Sequence, residues 1–363
     1  MSLAAVIERS EAEREAWKYT SLAALKGVPF ERAGVPSLSC EDIAKGQEKV
    51  QLVFLNGVWQ DKCSYLNSLP PDLIQGNAQA GYVLALAEQM CLIMSPLELF
   101  FLSVPGDKPS EAETKLRITL GASSRLTLIE RHCRFEKTNS DFAHVMDVSI
   151  ALDERAKLVH GKIVSGSDLH FSTTSVHAAE GAYYDYFSLV RGGRLTRHDL
   201  DVTLTGVMAQ CRLYGVSLQR GVRHADVTTR VTHAAPQGSS RQYFKTVLDG
   251  KARGVFQGTI VVAEGAQKTD AYQLSRALLL SDEAEMDAKP ELRIFADDVK
   301  CSHGNTVGDL DEDMLFYLRS RGLDETTARA LLIEAFIAEL TNEIQAPELR
   351  EAVNDEVRAW LRA

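Results

Sequence analysis

The feature of this 363-residue chain that most constrains its fold is a short phrase that keeps returning. It reads ITLGASSRLTL from Ile118, VSIALDERAKL from Val148 and TSVHAAEGAYY from Thr174. More loosely it reads VTLTGVMAQCR from Val202, VTHAAPQGSSR from Val231 and IVVAEGAQKTD from Ile260. Successive starts lie 30, 26, 28, 29 and 29 residues apart. Each copy opens on an alternating apolar–polar run, and most pass into a turn of small or acidic residues. A near-constant period in this range marks a repeat architecture. Strand-like repeats with no helix between them point to a β-solenoid. One coil cannot bury its own apolar face, whereas stacked coils bury a continuous column and pair their backbones. We therefore expect stacked coils over residues 97–308, with Ile118, Leu120, Leu126, Leu128, Val148, Ile150, Val202 and Leu204 turned inward. A sandwich of antiparallel sheets is the competing fold.

The flanks read differently. Residues 1–96 look helical and loop-like. Leu3 to Trp17 is rich in the good helix formers Ala, Glu and Arg. Gly27, Pro29, Gly34 and Pro36 punctuate a connection. Asn77 to Met94 reads as a second helix that stops before Pro96. Residues 309–363 read as three helices. Asp309, Asp311, Glu312 and Asp313 suit a helix N-terminus, and Gly322 suits its close. Leu332, Phe336 and Leu340 follow at four-residue spacing, and Pro347 opens a stripe of Leu349, Val353, Val357 and Leu361. Such a region is expected to cap the end of the solenoid, where unpaired strand edges invite association.

Charge and motifs narrow the function. A formal net charge of −10 disfavours nucleic acid and anionic membrane surfaces as partners. The start has no apolar run of signal-peptide length, and the most apolar stretch, Tyr82 to Val104, is broken by Glu88, Pro96 and Glu98. A cytoplasmic chain is expected. Six cysteines stand apart with no CxxC pair, and Cys40, Cys63, Cys91, Cys133 and Cys211 are expected as inert core thiols. No phosphate-cradling loop, nucleophile elbow or HExxH is present, so no enzyme is expected. His132, His144, His160, His170, His177, His198, His224 and His233 show no ligand spacing and are expected at the surface or satisfied in the core. The run RGGRLTR (Arg191 to Arg197) reads as a solvated edge. Asp297 and Asp298, as strand neighbours, would face opposite ways and do not make a carboxylate pair.

The informative segment is ADDVKCSHGNTVG, from Ala296 to Gly308. Cys301 and His303 are two apart in a strand-like context, which places both on one face. Thiolate and imidazole suit iron–sulfur or zinc chemistry. Two protein ligands rarely hold a metal, so another chain or a carried ligand would have to complete such a site.

The stretch from Ala296 to Gly322, ADDVKCSHGNTVGDLDEDMLFYLRSRG, closely resembles the C-terminal signature of the SufD family. AKPELRIFADD (Ala288), SRALLLSDEAEMD (Ser275), VLDGKARGVFQG (Val247), GGRLTRHDLDV (Gly192) and WKYTSL (Trp17) fit as well. The likeness runs from about Leu116 to Leu340 and is thin before that. It implies a right-handed parallel β-helix between helical regions, in a scaffold subunit for iron–sulfur cluster assembly. It implies a SufB-like scaffold and a SufC-like ABC ATPase as partners, with a homodimer open to the isolated chain. The ATPase would dock on the C-terminal helices, around Tyr317, Leu318, Arg319 and Arg321, since exposed aromatic and arginine side chains anchor interfaces. His303 matches the family histidine tied to cluster assembly, with Cys301 the weaker candidate. A transient cluster or iron would sit at the partner interface, and no cofactor is expected in the isolated chain. A β-helix carbohydrate-active enzyme and a self-associating structural protein are the competing functions.

Overall fold

The computed structural model describes residues 2–38, 51–64, 73–135, 140–166 and 168–363. Its first strands are β1 (Glu31–Arg32), β2 (Gln51–Leu55), β3 (Val58–Trp59), β4 (Ile74–Asn77), β5 (Gly81–Leu86) and β6 (Cys91–Ser103). Then come β7 (Ser110–Leu120), β8 (Arg125–Arg134), β9 (Phe142–Leu152), β10 (Lys157–Ser165), β11 (Leu169–Ala178), β12 (Tyr183–Arg191) and β13 (Leu195–Leu204). The last are β14 (Gln210–Gly221), β15 (His224–His233), β16 (Ser239–Gly250), β17 (Arg253–Val262), β18 (Asp270–Leu279), β19 (Glu285–Ile294) and β20 (Lys300–Gly308). From β5 onward, odd strands stack in one sheet and even strands in the other. Every pair between successive coils is parallel, so the architecture is a parallel β-solenoid of about seven turns and not an antiparallel sandwich.

Each coil therefore holds two strands of about ten residues joined by two turns, and this sets the period seen in the sequence. The strand alternation explains the core. In β9, the residues Met146, Val148, Ile150 and Leu152 point into the lumen, while Asp147 and Ala151 face solvent. All eight residues expected inward are buried. The register also shows how well the repeated phrase was aligned. Val148 pairs with Thr174, Val202 with Val231, and Val231 with Ile260, as laid out above. Ile118 instead pairs with Ile150, and Thr174 with Leu200, each two residues from the sequence alignment. A shift of two keeps the same face inward, so these slips left the core assignment intact.

The turns after β5, β7, β9, β11, β13, β15 and β17 each carry one residue in the left-handed region: Gln89, Ser123, Arg155, Gly181, Met208, Gln237 and Lys268. Their amides form a column. Ser123 N donates to Glu154 O, Arg155 N to Glu180 O, Gly181 N to Val207 O, and so on to Lys268 N and Asp298 O. The small and acidic turn residues of the phrase are thus a hydrogen-bonded ladder that holds the coils in register.

Terminal segments cover part of each outer face. On the odd-strand sheet, Leu3, Val6, Trp17, Leu22 and Leu25 from the N-terminal segment pack on Ala143, Val145, Leu169, Phe171 and Leu195. That segment opens with the helix Leu3–Ala12, whose N-cap Ser2 accepts from Ala5 N. On the even-strand sheet lie two helices, Glu325–Thr341 and Pro347–Arg362. Their Ile333, Ile337, Leu340, Leu349, Val353 and Val357 pack on Ile129, Ile163, Phe187, Leu189, Val216 and Leu218. Gly161 is required there, because a Cβ would overlap the Leu349 side chain.

Five expectations are corrected. Asn77 to Met94 forms no helix, since its Tyr82, Leu84 and Leu86 alternate inward as β5. Stacking accordingly begins before Leu97, with β5 on β7 and β6 on β8. The C-terminal helices do not cap the solenoid end; they fold back along its flank. The RGGRLTR run is not a solvated edge: Arg191 pairs with Glu356 at 2.6 Å, Arg194 with Asp141 at 3.1 Å, and buried Arg197 with Asp226 at 2.5 Å. Cys63, read as an inert thiol, is disulfide-bonded. Cys211 is a buried thiol and Cys133 a partly buried one, whereas Cys40 and the side chain of Cys91 lie outside the described residues.

Candidate functional site

The last coil differs from every other. Among the described strands β20 pairs only with β18, and β19 only with β17, so each ends its sheet with one unpaired edge. Cys301 lies in register with Ala271, and His303 with Gln273. Ala271 and Gln273 are fully buried lumenal residues. Residues in register on parallel strands share a face. Cys301 and His303 therefore occupy inward-facing positions, as their two-residue spacing requires. Among the described residues no further coil stacks beyond them, so the face is the mouth of the lumen and not its core.

Cys301 packs against the cluster of Ile260, Val262, Ala266, Ala271 and Ala296 at that mouth. Burial pushes its thiol above the usual range, against a lowering hydrogen bond from the Ala271 backbone, which keeps it protonated at neutral pH. His303 is exposed. It ends a ladder of inward amides, Gln242 and Gln273, of which Gln273 Oε1 is buried without a partner. The surrounding coil also exposes Ile294, Phe295 and Val307, with Phe295 64% accessible. Sequence reasoning missed these three, because it expected the C-terminal helices to cap this end of the solenoid. Among the described residues no third histidine, cysteine or carboxylate gathers with Cys301 and His303.

The second surface is the helix Glu312–Ser320, N-capped by Asp311, whose side chain accepts from Met314 N. Its main neighbour is the helix Glu325–Thr341 and not the solenoid. Met314, Phe316 and Tyr317 are exposed, Phe316 at 74%. Arg321 lies 5.1 Å from the Tyr317 ring centroid, and Arg319 pairs with Glu325 at 3.4 Å. Both arginines are exposed, whereas Leu318 is half-buried. Met314 and Phe316 were not singled out as surface residues from sequence, since amphipathic spacing does not reveal how little of a helix is covered. Within the described residues no helix is long and apolar enough to cross a membrane.

Residues 105–336 match the family model described as "SUF system FeS cluster assembly, SufBD core domain". The iron–sulfur cluster assembly protein SufD of Escherichia coli (strain K12) is 32% identical, over 94% of this chain and 86% of that protein. An iron–sulfur cluster assembly SufBD family protein of Synechocystis sp. is 29% identical, over 93% of this chain and 84% of its own length. A chloroplastic ABCI7 protein of Arabidopsis thaliana is 29% identical over 75% of this chain and 58% of its own.

Proposed function

The chain belongs to the SufBD core family of the SUF system for iron–sulfur cluster assembly, and on that premise we propose that it is the SufD-type scaffold subunit of such a system. In this reading it performs no catalysis of its own. Its open terminal coil receives a SufB-like scaffold, and its exposed tail helix receives a SufC-like ABC ATPase in the cytoplasm. The observation that carries the reading is the contrast between covered flanks and an uncovered end. Terminal segments pack over part of both sheet faces, while among the described strands β19 and β20 keep free edges beside exposed Ile294, Phe295 and Val307. Unpaired edges of this kind call for another chain.

The nascent cluster is then cargo at the junction. His303 would supply an accessible imidazole, an accepted replacement for thiolate at iron. Thiolates would come mainly from the partner, since Cys301 is protonated and half-buried. The same edge favours a homodimer when the chain is purified alone, and this is the second reading the open end supports. A carbohydrate-active enzyme is less well supported, because the N-terminal segment and two tail helices pack over part of the flanks on which a solenoid would lay a polymer.

The test is co-expression with SufB-like and SufC-like chains. Both should co-purify, and recovery of the chain alone or only with itself would move the reading to self-association. His303→Ala should leave the complex and its ATP hydrolysis intact and stop cluster formation, scored as bound iron and sulfide. Normal cluster yield from that variant would refute the role of His303. Loss with Cys301→Ala alone would reverse the ranking of the two residues. Replacing Arg319 and Arg321 by Glu should release the ATPase while circular dichroism stays unchanged. Retained ATPase would place its docking surface elsewhere.

A further inference from the structure

Deep in the lumen, several coils from the mouth, three histidines converge. His132 lies on β8 of one sheet, and His144 and His170 lie in register on β9 and β11 of the other. One ligand nitrogen from each lies within 4.8 Å of the other two. The ring centroids of His132 and His170 are 4.7 Å apart, and those of His144 and each of the others 5.6 Å. All three side chains are buried.

The hydrogen bonds divide two of the rings into a held side and a vacant side. His132 Nε2 meets the Glu130 carboxylate at 3.1 Å, and His144 Nε2 meets Thr114 Oγ1 at 3.1 Å. Among the described residues, the Nδ1 atoms of both rings are buried without a partner, and His170 has no partner at either nitrogen. Buried polar atoms are almost always satisfied, so four orphan imidazole nitrogens in one group need a cause. Metal-bound histidines show this division: one nitrogen faces the ion, and the other is fixed by a carboxylate, hydroxyl or carbonyl that sets the tautomer. Glu130 is itself anchored, by His160 Nε2 at 3.0 Å and Lys162 Nζ at 3.2 Å.

We propose that His132, His144 and His170 bind one divalent transition-metal ion inside the solenoid, with Glu130 and Thr114 as the outer partners that orient two of the rings. The donor set is all nitrogen, which suits borderline ions such as Zn2+, Co2+ and Fe2+ over Ca2+ or Mg2+. Closing a 4.8 Å spread to the roughly 3.3 Å implied by metal–nitrogen bonds of about 2.0–2.1 Å needs small ring rotations. The ion would tie the two sheets together across three strands. Its ligands are distinct from Cys301 and His303, and the proposal stands whether or not the mouth handles a cluster.

The test uses the full chain carrying Cys301→Ser and His303→Ala, so that the mouth contributes nothing. It is expressed in medium supplemented with Zn2+, and separately with Co2+, because the closed lumen loads best during folding. After gel filtration with EDTA, metal analysis should find about one ion per chain. The Co2+ form should show visible absorption and an X-ray absorption shell of imidazole nitrogens. His170→Phe keeps a ring in the stack and should lower bound metal at least tenfold. If that variant does not fold, the Co2+ spectra of the parent chain decide. Less than a tenth of an equivalent in the parent, a first shell without imidazole, or undiminished metal in folded His170→Phe would each overturn the proposal.

Discussion

Replacing Arg197 by Leu removes the cation at the centre of the clamp that fastens the N-terminal segment to the solenoid. Arg197 sits on β13 with its guanidinium 3.9 Å from the Trp17 ring centroid. It donates to Asp226 at 2.5 Å and pairs with Asp199 at 2.8 Å. Asp226 is fully buried and also accepts from Thr20 Oγ1 at 2.5 Å and Thr228 Oγ1 at 3.0 Å. Without Arg197 the Asp226 carboxylate keeps only hydroxyl donors in a site closed to water. Breaking one side of a buried ion pair costs about 3–5 kcal/mol. Loss of the desolvated cation–π contact adds about 1–2 kcal/mol. The sum, roughly 4–7 kcal/mol, is a large part of the 5–15 kcal/mol that ordinarily holds a domain folded.

In a stack of coils that touch only their neighbours, this loss should appear locally first. The segment from Leu3 to Leu25 should peel from β9, β11 and β13 before the solenoid melts. Limited proteolysis should cut Arg197→Leu within that segment at low denaturant, and Trp17 emission should shift red in a background where Trp59 and Trp360 are Phe. The double variant Arg197→Leu/Asp226→Leu buries no orphan charge at position 226 and should recover most of the loss, because apolar replacement of a buried pair is often neutral. If Arg197→Leu matches the parent in proteolysis and denaturation midpoint, or if the double variant is no better than the single, the clamp argument is wrong.

Gly161→Ala should destabilise by about 1–3 kcal/mol, since the added methyl overlaps buried Leu349, and Leu349→Ala in the same chain should restore part of it on a denaturation curve. His233, fully buried against Ser240, has its pKa lowered to about 4, chiefly by desolvation, against about 6.5 in an unfolded chain. The unfolded state therefore binds more protons between those values. Stability should be lost as pH falls from 6.5 towards 4, by about 3 kcal/mol from this residue. His233→Gln should flatten the urea midpoint against pH over that window, and an unchanged slope would show that other groups set the acid limit.

The coils were legible in the sequence because their two determinants are local. Alternation set Val148 and Ile150 inward, and the small-residue turns set the left-handed column from Gln89 to Lys268. The segment Asn77–Met94 was misread because its apolar residues are dense enough to satisfy either a helical or an alternating pattern, and only pairing of β5 with β7 decides. The histidine group was hidden for a different reason. His144 and His170 are neighbours across one coil of 26 residues, so no motif with short spacing contains them. Once coil length is known, the signal becomes readable: like residues one period apart on the inward face. The tail helices could be read as amphipathic, but their stripe says only that they pack, and their seat on the even-strand sheet depends on Gly161 and Lys245, far away in sequence. Lys245 donates to Glu339 at 2.6 Å and to the Phe336 carbonyl at 2.5 Å. Cys301 and His303 were placed on one face by spacing alone, but their accessibility follows from which strand ends each sheet.

The two ends of the solenoid are not equivalent, and that restricts what the open end can meet. At the start, β2 turns back on β3 and β4 turns back on β5 as antiparallel hairpins. Among the described strands, that end of each sheet is therefore an antiparallel strand, β3 or β4, whereas β19 and β20 end theirs on parallel rungs. Head-to-tail addition, which would propagate into a fibre, would have to pair a parallel rung with a hairpin strand. Under the proposed function, β19 and β20 instead meet another open end, either that of a second copy or that of a chain with the same solenoid plan. The two choices differ in chemistry at the junction. A second copy brings His303 opposite the same surface and supplies thiols only as half-buried, protonated Cys301. A related chain with accessible thiolates on its own last coil would complete a ligand set around His303 that neither chain holds alone. Under the proposed function, pairing with a related chain would therefore turn an edge-sealing contact into a site for cluster assembly.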